Sequence, residues 1–589
     1  MTWQAWFTLA VALGALVCLV KDWLAPSNVM VGAAVALLLA GIISPEETFA
    51  GFGNPAPVTV AALYVLARAA EKTGLLQPIL ERLLGKESGG RWAMSKLLVP
   101  SAAASAFLNN TPIVAMLIPQ VLRWCEKTRE SASRYLMPLS FAVILGGVIT
   151  TIGTSTNLVV SGMLEKSGHE PLGLFEITPV GLPVAIIGIV TLILTVPWLQ
   201  PDRRPAGQQL EEGTHEFSVS MKVVASGPLD GQAVEVAGLR NLQGVFLASV
   251  ERGDELIAPV APDFRLRGGD RLSFVGRADK VVDLQTRRGL ESAEAPHMSE
   301  LQTARHRFYQ AVVGASSRLV GKTLKELDFR ARYQAAVVAI HRSGQPVQEK
   351  LGQVRLKHGD TLILLADSGF HLRWRDRGDF LMVTDMAGTP PAVTKKAWIV
   401  ALVGLFIVVL AGAGVVPILQ ASLVGAIALI FCGVLTATEA RESIELDTII
   451  VIAASFALGT AMEKSGLAAH AAEIVNRFSG GGSVHGALLG IVLATKIVTE
   501  LITNNAAAAL LFPIALASAQ QLGVDPRPFV IAVAIAASNS FLTPIGYQTN
   551  TMVYGPGGYR FADYFRVGLP LTITTVVATV LVIPWAWGI

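Results

Sequence analysis

Cysteine is scarce in this chain: there are three in 589 residues, Cys18, Cys125 and Cys432, far apart in apolar or juxtamembrane sequence. That spacing excludes a disulfide framework and a cysteine-based metal cluster, and packing is the expected role of all three. Charge is sparse too, with Asp, Glu, Lys and Arg making up 15% of the residues and a net charge of +3. No basic stripe with interleaved aromatics is present, so no nucleic-acid partner is expected. Nor is there a recognisable nucleophile–base pair, metal-ligand cluster or phosphate loop, which leaves an enzyme the least supported class.

What the chain has is apolar length. Hydrophobic residues reach 52% and mean hydropathy is +0.52. That is too apolar for a soluble protein and too interrupted for a purely membrane-embedded one, so both kinds of domain are expected. Long apolar runs fall at roughly 5–20, 28–44, 57–70, 138–160 and 177–199, and again at 397–416, 418–436, 446–462, 528–553 and 566–588. Each half therefore crosses a membrane five times. The stretch Met1 to Val20 lacks a basic start and reads as a retained first crossing, not a cleaved signal peptide. Between the third and fourth crossings of each half lies a further apolar piece, 97–120 and 485–519, broken near its middle by an Asn pair. An apolar segment interrupted and restarted in this way reads as a re-entrant helical hairpin, because irregular backbone at membrane depth is tolerated only where protein or a cavity satisfies it.

The halves repeat each other. Leu108-Asn109-Asn110-Thr111 with Pro119 returns as Ile502-Thr503-Asn504-Asn505 with Pro513, and Glu71-Lys72-Thr73-Gly74 returns as Glu463-Lys464-Ser465-Gly466. Ile152-Gly153-Thr154-Ser155-Thr156-Asn157 returns as Ile545-Gly546-Tyr547-Gln548-Thr549-Asn550, and Val180-Gly181-Leu182-Pro183 as Val567-Gly568-Leu569-Pro570. The spacing stays at about 390 residues, a plan that many transporters share. A single Asn pair would be explained as a helix cap; two copies weaken that explanation. An odd number of crossings makes the second half the inverted image of the first. If 202–394 is cytoplasmic, eighteen Lys and Arg residues fall on inside loops and only Lys166, Lys464, Arg477 and Arg527 on outside ones. This follows the positive-inside rule and places both termini on the periplasmic or extracellular side of a bacterial-type inner membrane.

Residues 202–394 are more charged, and short apolar runs such as 271–275 and 361–365 read as strands. This insert repeats too: Gly231 and Gly321, Arg252 and Arg342, Gly269 and Gly359, and Asp270 and Asp360 all stand 90 residues apart. Gly-Asp before an apolar strand is a turn signal. The pattern resembles two tandem TrkA-C (RCK-C) modules, small α+β domains found on potassium-channel regulators and on some transporters. The insert is then either a sensor of an unknown ligand or a passive dimerisation and stability module. No Gly-x-Gly-x-x-Gly turn follows a strand in it, so no dinucleotide site is supported and no organic cofactor is expected. The expected domains are a membrane repeat over 1–201, modules over 202–300 and 301–394, and a second membrane repeat over 395–589.

The hairpin tips carry the chemistry. Asn110 and Thr111 precede Pro112, a residue favoured at the first helical position, so the tip is a helix N-terminus whose unpaired N–H groups and positive dipole end can hold an anion. In the second tip Asn504 or Asn505 is expected to cap a helix over 506–509. Amide and hydroxyl oxygens at both tips, with carbonyls freed at breaks around Gly153 and Gly546, are hard neutral ligands that suit sodium. No titratable residue lies in these four motifs, which favours sodium over proton coupling. Lys496 and Glu500, four apart on the arm entering the second tip, are charged without counterparts in the first half. They are either a functional intramembrane pair or a structural i,i+4 ion pair.

These motifs resemble the divalent anion/sodium symporter (DASS) family of the ion-transporter superfamily, which carries dicarboxylates, citrate and sulfate. Its Ser-Asn-Thr tips are similar to Asn109-Asn110-Thr111 and Thr503-Asn504-Asn505, and its Gly-Thr-Pro-Pro-Asn break to Gly153–Asn157 and Gly546–Asn550. Asn109 replaces Ser, Asn505 replaces Thr, and both breaks lack the Pro-Pro pair. The resemblance implies an α-helical polytopic membrane protein with inverted-topology repeats, two re-entrant hairpins and broken helices, here carrying a cytoplasmic α+β insert. It further implies a transport domain moving as an elevator against a scaffold in a homodimer. Carried over, Asn109, Asn110 and Thr111 with Gly153 would form one sodium site, and Thr503, Asn504 and Asn505 with Gly546 the other. The anion would lie between them against Asn110, Thr111, Thr156, Asn157, Asn504, Asn505, Thr549 and Asn550. The membrane plan, the TrkA-C pair and the stretch 547–559 look more like the sulfate-permease branch, which makes sulfate the first choice, ahead of citrate, succinate or another oxyanion. From a different class, the protein could be an anion sensor signalling through its insert.

Overall fold

The computed structural model describes the whole chain except residues 22, 76–77, 79–89, 129, 201, 203–215, 240–244, 254, 278–288, 293–305, 315–316, 343–344, 348–350, 368, 375–378, 386–395 and 479–482. Of the cations counted above as inside, Arg82, Lys86, Arg129, Arg203, Arg204 and Lys395 lie outside the described residues, as do the expected boundaries at 300/301 and 394/395. The chain divides into two compact units. One comprises Met1–Asp202, Pro390–Tyr554 and Arg560–Ile589; the other comprises Arg203–Thr389 with Gly555–Tyr559.

The first half of the helical unit begins with α1 (Trp3–Val20), capped by the Thr2 hydroxyl, and α2 (Pro26–Leu39). A Ser44–Glu47 capping box then starts the short α3 (Pro45–Phe49), which leads through a 3-10 turn into α4 (Pro55–Thr73), capped by Asn54. Next come α5 (Arg91–Ser105) and α6 (Asn110–Thr128), separated by four residues at the Asn pair. The expected crossing at 138–160 is two helices, α7 (Ser133–Gly147) and α8 (Ser155–Lys166), and α9 (Thr178–Leu199) closes the half.

Among the described residues the other unit holds ten strands: β1 (Glu216–Val223), β2 (Val245–Arg252), β3 (Glu255–Ile257), β4 (Arg271–Arg277), β5 (Leu290–Ser292), β6 (His306–Val313), β7 (Ala335–Arg342), β8 (Gln345–Pro346), β9 (Thr361–Asp367) and β10 (Phe380–Asp385). Two short helices, α10 (Phe329–Tyr333) and α11 (Phe370–Trp374), accompany them. The strands form two five-stranded antiparallel sheets, ordered β3-β2-β4-β1-β5 and β10-β6-β9-β7-β8. Matching β1–β5 to β6–β10 in turn gives the same order in both. The repeated residues make repeated bonds: Arg252 donates to both carboxylate oxygens of Asp270 at 2.8 and 2.7 Å, and Arg342 does so to Asp360 at 2.8 and 2.7 Å. Gly269 and Gly359 take φ of +97° and +79°, a left-handed turn conformation that glycine adopts without a Cβ clash.

The second half of the helical unit repeats the first: α12 (Ala397–Gly412), α13 (Ile418–Phe431), the short α14 (Ala437–Glu442) with a Thr436–Glu439 capping box, and α15 (Leu446–Lys464). After α16 (Leu467–Phe478) come the paired helices α17 (Val484–Thr499) and α18 (Asn504–Leu522), then α19 (Pro526–Ser538), α20 (Gln548–Tyr554) and α21 (Phe561–Trp587). Among the described residues six helical segments are long and apolar enough to cross a membrane. Their outer faces are apolar, with Trp198 and Trp585 76% and 80% exposed. Inside, Ala506–Ala509 are fully buried, small residues that let helix backbones approach closely.

The two halves are tied crosswise. Lys72, at the end of α4, pairs with Glu439 of the second half's capping box at 2.7 Å, and Lys464, at the end of α15, pairs with Glu47 of the first half's box at 2.6 Å. The repeated Glu-Lys motif is thus an interlock between halves.

Candidate functional site

Four backbone interruptions build the site: the tips at 106–109 and 500–503, and the breaks at 148–154 and 539–547. Each break is held by one asparagine. Asn157, in the first turn of α8, donates to the carbonyls of Gly147 and Thr150 at 3.2 and 2.9 Å; Asn550, in the first turn of α20, donates to Ser540 and Thr543 at 3.0 and 3.3 Å. Both side chains are buried. Clamping two carbonyls with one amide satisfies acceptors that an ended helix would otherwise leave open.

The tips are organised alike. The hydroxyl of Ser105 donates to Asn110 Oδ1 at 2.6 Å, and that of Thr499 to Asn504 Oδ1 at 3.1 Å. One expectation needs correction. Asn504 and Asn505 do not cap a later helix; they form the first turn of α18, whose N-cap is Thr503 with no side-chain cap bond. Their amide oxygens are engaged by neighbouring hydroxyls instead, which turns both side chains toward the site. Likewise α6 starts at Asn110 itself, two residues before Pro112. Asn109 ends the first tip half-buried, and Thr503 is exposed at the second.

Each tip meets the break of the opposite half. The Asn110 amide donates to the Tyr547 hydroxyl at 2.6 Å, and Thr154 Oγ1 lies 3.1 Å from the same hydroxyl. Thr111 donates to Gln548 at 3.1 Å. On the other side, Ser155 and Thr156 donate to Asn505 Oδ1 at 3.2 and 3.1 Å. Ser140 of α7 donates to Thr549 and Asn550 at 2.9 and 2.8 Å. Asn110, Thr111, Thr156, Asn157, Asn504, Asn505, Thr549 and Asn550 thus belong to a set of polar contacts around the tips and breaks, made in several separate groups of bonds. Tyr547, Gln548, Ser155, Ser140, Ser105 and Thr499 are additions to it; Tyr547 stands where the first half has Thr154, so repetition of residue type could not flag it.

The N-termini of α6, α8 and α18 open onto this network, offering unpaired N–H groups and positive dipole ends to an anion. The fit to a small hard cation differs between halves. A Cβ on Gly153 would lie 2.5 and 2.8 Å from the carbonyls of Gly147 and Ser105, and the nearby Asn157 Oδ1 is buried without a hydrogen bond; this is a neutral oxygen cradle of the kind hard cations take. At Gly546 a Cβ would crowd Ser540 Oγ and lie 3.0 and 3.1 Å from Thr543 Oγ1 and Glu500 Oε2. A carboxylate therefore lines the second cradle, which the four motifs alone did not predict.

Glu500 and Lys496 lie one turn apart, yet the ammonium makes no hydrogen bond. The backbone freed by the second break takes the carboxylate instead. Oε1 accepts from the N–H groups of Phe541 and Leu542 at 2.8 and 3.1 Å, and Oε2 from those of Leu542 and Thr543 at 3.2 and 3.1 Å.

The sequence carries its own affiliation. Residues 16–534 match the CitMHS citrate transporter family, and 422–588 match it a second time. An uncharacterised transporter of Synechocystis is 36% identical over 100% of this chain and 98% of its own length. A Chlamydomonas reinhardtii protein named as a candidate sulfur deprivation response regulator is 34% identical over 93% of this chain and 96% of its own. Sodium/sulfate cotransporter 1 of the same alga is 23% identical over 97% and 89%. The chain belongs to the CitMHS citrate transporter family and is a transporter, not an enzyme.

Proposed function

We propose that the protein is a sodium-coupled uptake carrier for a small divalent anion, with sulfate as the first choice. The observation that carries this reading is the crosswise network in which each hairpin tip meets the opposite break, Asn110 with Tyr547 and Asn505 with Thr156. Such a site comes apart unless both halves are in register, so cation binding at the tips and anion binding between them become interdependent. Asn109, Asn110, Thr111 and Gly153 would hold one cation, and Thr503, Asn504, Asn505 and Gly546 would frame the second position. Asn110, Thr111, Thr156, Asn157, Asn504, Asn505, Thr549 and Asn550 would surround the anion. Sulfate is favoured by the similarity to a sodium/sulfate cotransporter over nearly the whole chain; citrate or another dicarboxylate is the second reading, favoured by the family's description.

The rest of the proposal concerns assembly. The halves would be inverted in the inner membrane, with 202–394 cytoplasmic as two TrkA-C modules of regulatory or structural role and both termini outside. A homodimer would move its transport domains as elevators. The test of function is uptake of radiolabelled sulfate into proteoliposomes, with and without an inward sodium gradient and with succinate, citrate and thiosulfate as competitors. Sodium-dependent sulfate uptake is the expected result. Uptake blocked only by succinate or citrate would transfer the site to dicarboxylates, and no uptake under any gradient would remove the carrier reading of these anions.

A further inference from the structure

The two halves share a set of matching hydrogen bonds at their tips and breaks, and this shared frame shows where formal charge enters one half and not the other. Ser105 matches Thr499, Asn110 matches Asn504, Asn157 matches Asn550, and the contact of the Thr150 hydroxyl with the carbonyl of Ala106 matches that of Thr543 with the carbonyl of Glu500. Within this frame Ala102, Ala106, Gly146 and Gly147 of the first half stand where Lys496, Glu500, Asn539 and Ser540 stand in the second. Four small apolar positions have become a cation, an anion and two hydrogen-bonding side chains.

Their geometry is unusual for a structural ion pair. Glu500 accepts from three successive backbone N–H groups and from the Thr543 hydroxyl at 3.3 Å, so its hydrogen-bond partners come from the backbone of the break and not from Lys496. Lys496 is 95% buried, being 5% exposed, and its Nζ makes no hydrogen bond. The ammonium instead sits 5.0 Å from the centre of the Phe541 ring, within cation–π range. Asn539 Oδ1 and Ser540 Oγ, also buried, have no hydrogen-bond partner. A buried charge without a hydrogen bond is expensive, so a lysine held here points to its charge being used where it stands. The matching positions of the first half, Ala102, Ala106, Gly146 and Gly147, carry no charge.

Building on the sodium-coupled reading above, we infer that Lys496 is a tethered cation that balances Glu500 and holds the second half's cation position. The frame is built for two cations; the second half supplies one from its own chain. Removing the ammonium leaves Glu500 Oε2, Ser540 Oγ and Thr543 Oγ1 around the Gly546 cradle as an uncompensated anionic site, and sodium then enters it.

The test is direct binding of 22Na+ to purified full-length protein, measured by scintillation proximity in choline chloride, for wild type, Lys496→Met, Lys496→Arg and the double variant Lys496→Met/Glu500→Gln. Lys496→Met is expected to bind one sodium per chain more than wild type, Lys496→Arg the same number as wild type, and the double variant no additional ion. Equal binding by wild type and Lys496→Met would overturn the inference while leaving the sodium reading intact. An additional ion in Lys496→Met with none in wild type would sustain it and overturn sodium coupling at the first tip; no binding by either protein overturns both. Should Met at this position prevent folding in sodium and in choline, Lys496→Gln carries the same prediction of one added ion.

Discussion

The side-chain amide of Asn110 donates to the hydroxyl of Tyr547 at 2.6 Å across 437 residues of sequence, and Thr154 Oγ1 lies 3.1 Å from that hydroxyl. One phenol of the second break thus bridges the first hairpin tip and the first break. Replacing Tyr547 by Phe keeps the ring and removes these links. At about 1 kcal/mol net for each of the two hydrogen bonds, anion uptake at low substrate concentration is expected to fall roughly 30-fold. Retained monodispersity on size exclusion would show that the loss is local to the site.

Gly153 tests the cradle sterically. Its added Cβ would lie 2.5 Å from the Gly147 carbonyl, backbone that has no flexible end to yield. Gly153→Ala is expected to raise the sodium concentration for half-maximal uptake by tenfold or more with normal expression, measured as uptake against external sodium. An unchanged sodium requirement would place the cation elsewhere.

The interlock between halves predicts a charge-swap rescue. Lys72 and Glu439 are partly exposed, at 34% and 29%, so the pair contributes no more than about 1 kcal/mol. Lys72→Glu should lower the unfolding midpoint by a few degrees, and Lys72→Glu/Glu439→Lys should recover most of the loss in a double-mutant cycle.

In the sheet unit, burial pushes the imidazole of His341 down to about 4. Its protonation is therefore easier in the unfolded chain, and stability is fully present above pH 6.5 and lost as pH falls from there toward 4, by up to roughly 3 kcal/mol. Hydrogen exchange of the β7 and β9 peptides in the full-length protein should accelerate between pH 7 and pH 5, after correction for intrinsic rates, and His341→Gln should flatten that dependence.

Several of these features were legible in the sequence for a simple reason. Asn110 and Asn504, and Asn157 and Asn550, recur because two matching frames need the same bonds, and repetition exposes such residues without any structure. Arg252 with Asp270, and Arg342 with Asp360, were legible in the same way. Tyr547 was not, because it binds across the frame in place of a threonine and so breaks the repeat it serves. The role of Glu500 was hidden for another reason: its backbone donors lie 41 to 43 residues onward, in a break whose direction only the fold sets. The neighbouring Lys496 suggested an i,i+4 pair, but three freed N–H groups hold the carboxylate more closely than one ammonium does. At the second tip, Thr503 rather than either asparagine occupies the cap, since Asn504 and Asn505 are drawn toward Thr499 and Thr156.

On the proposed function, the two tips and the two breaks form one sodium-dependent anion site. This is tested most directly by sodium-driven sulfate uptake in proteoliposomes carrying wild type, Asn110→Ala or Asn504→Ala at matched protein density. Sodium-dependent uptake by wild type, and its loss in each single variant, is the expected result. Normal sodium-driven uptake by both variants would contradict it.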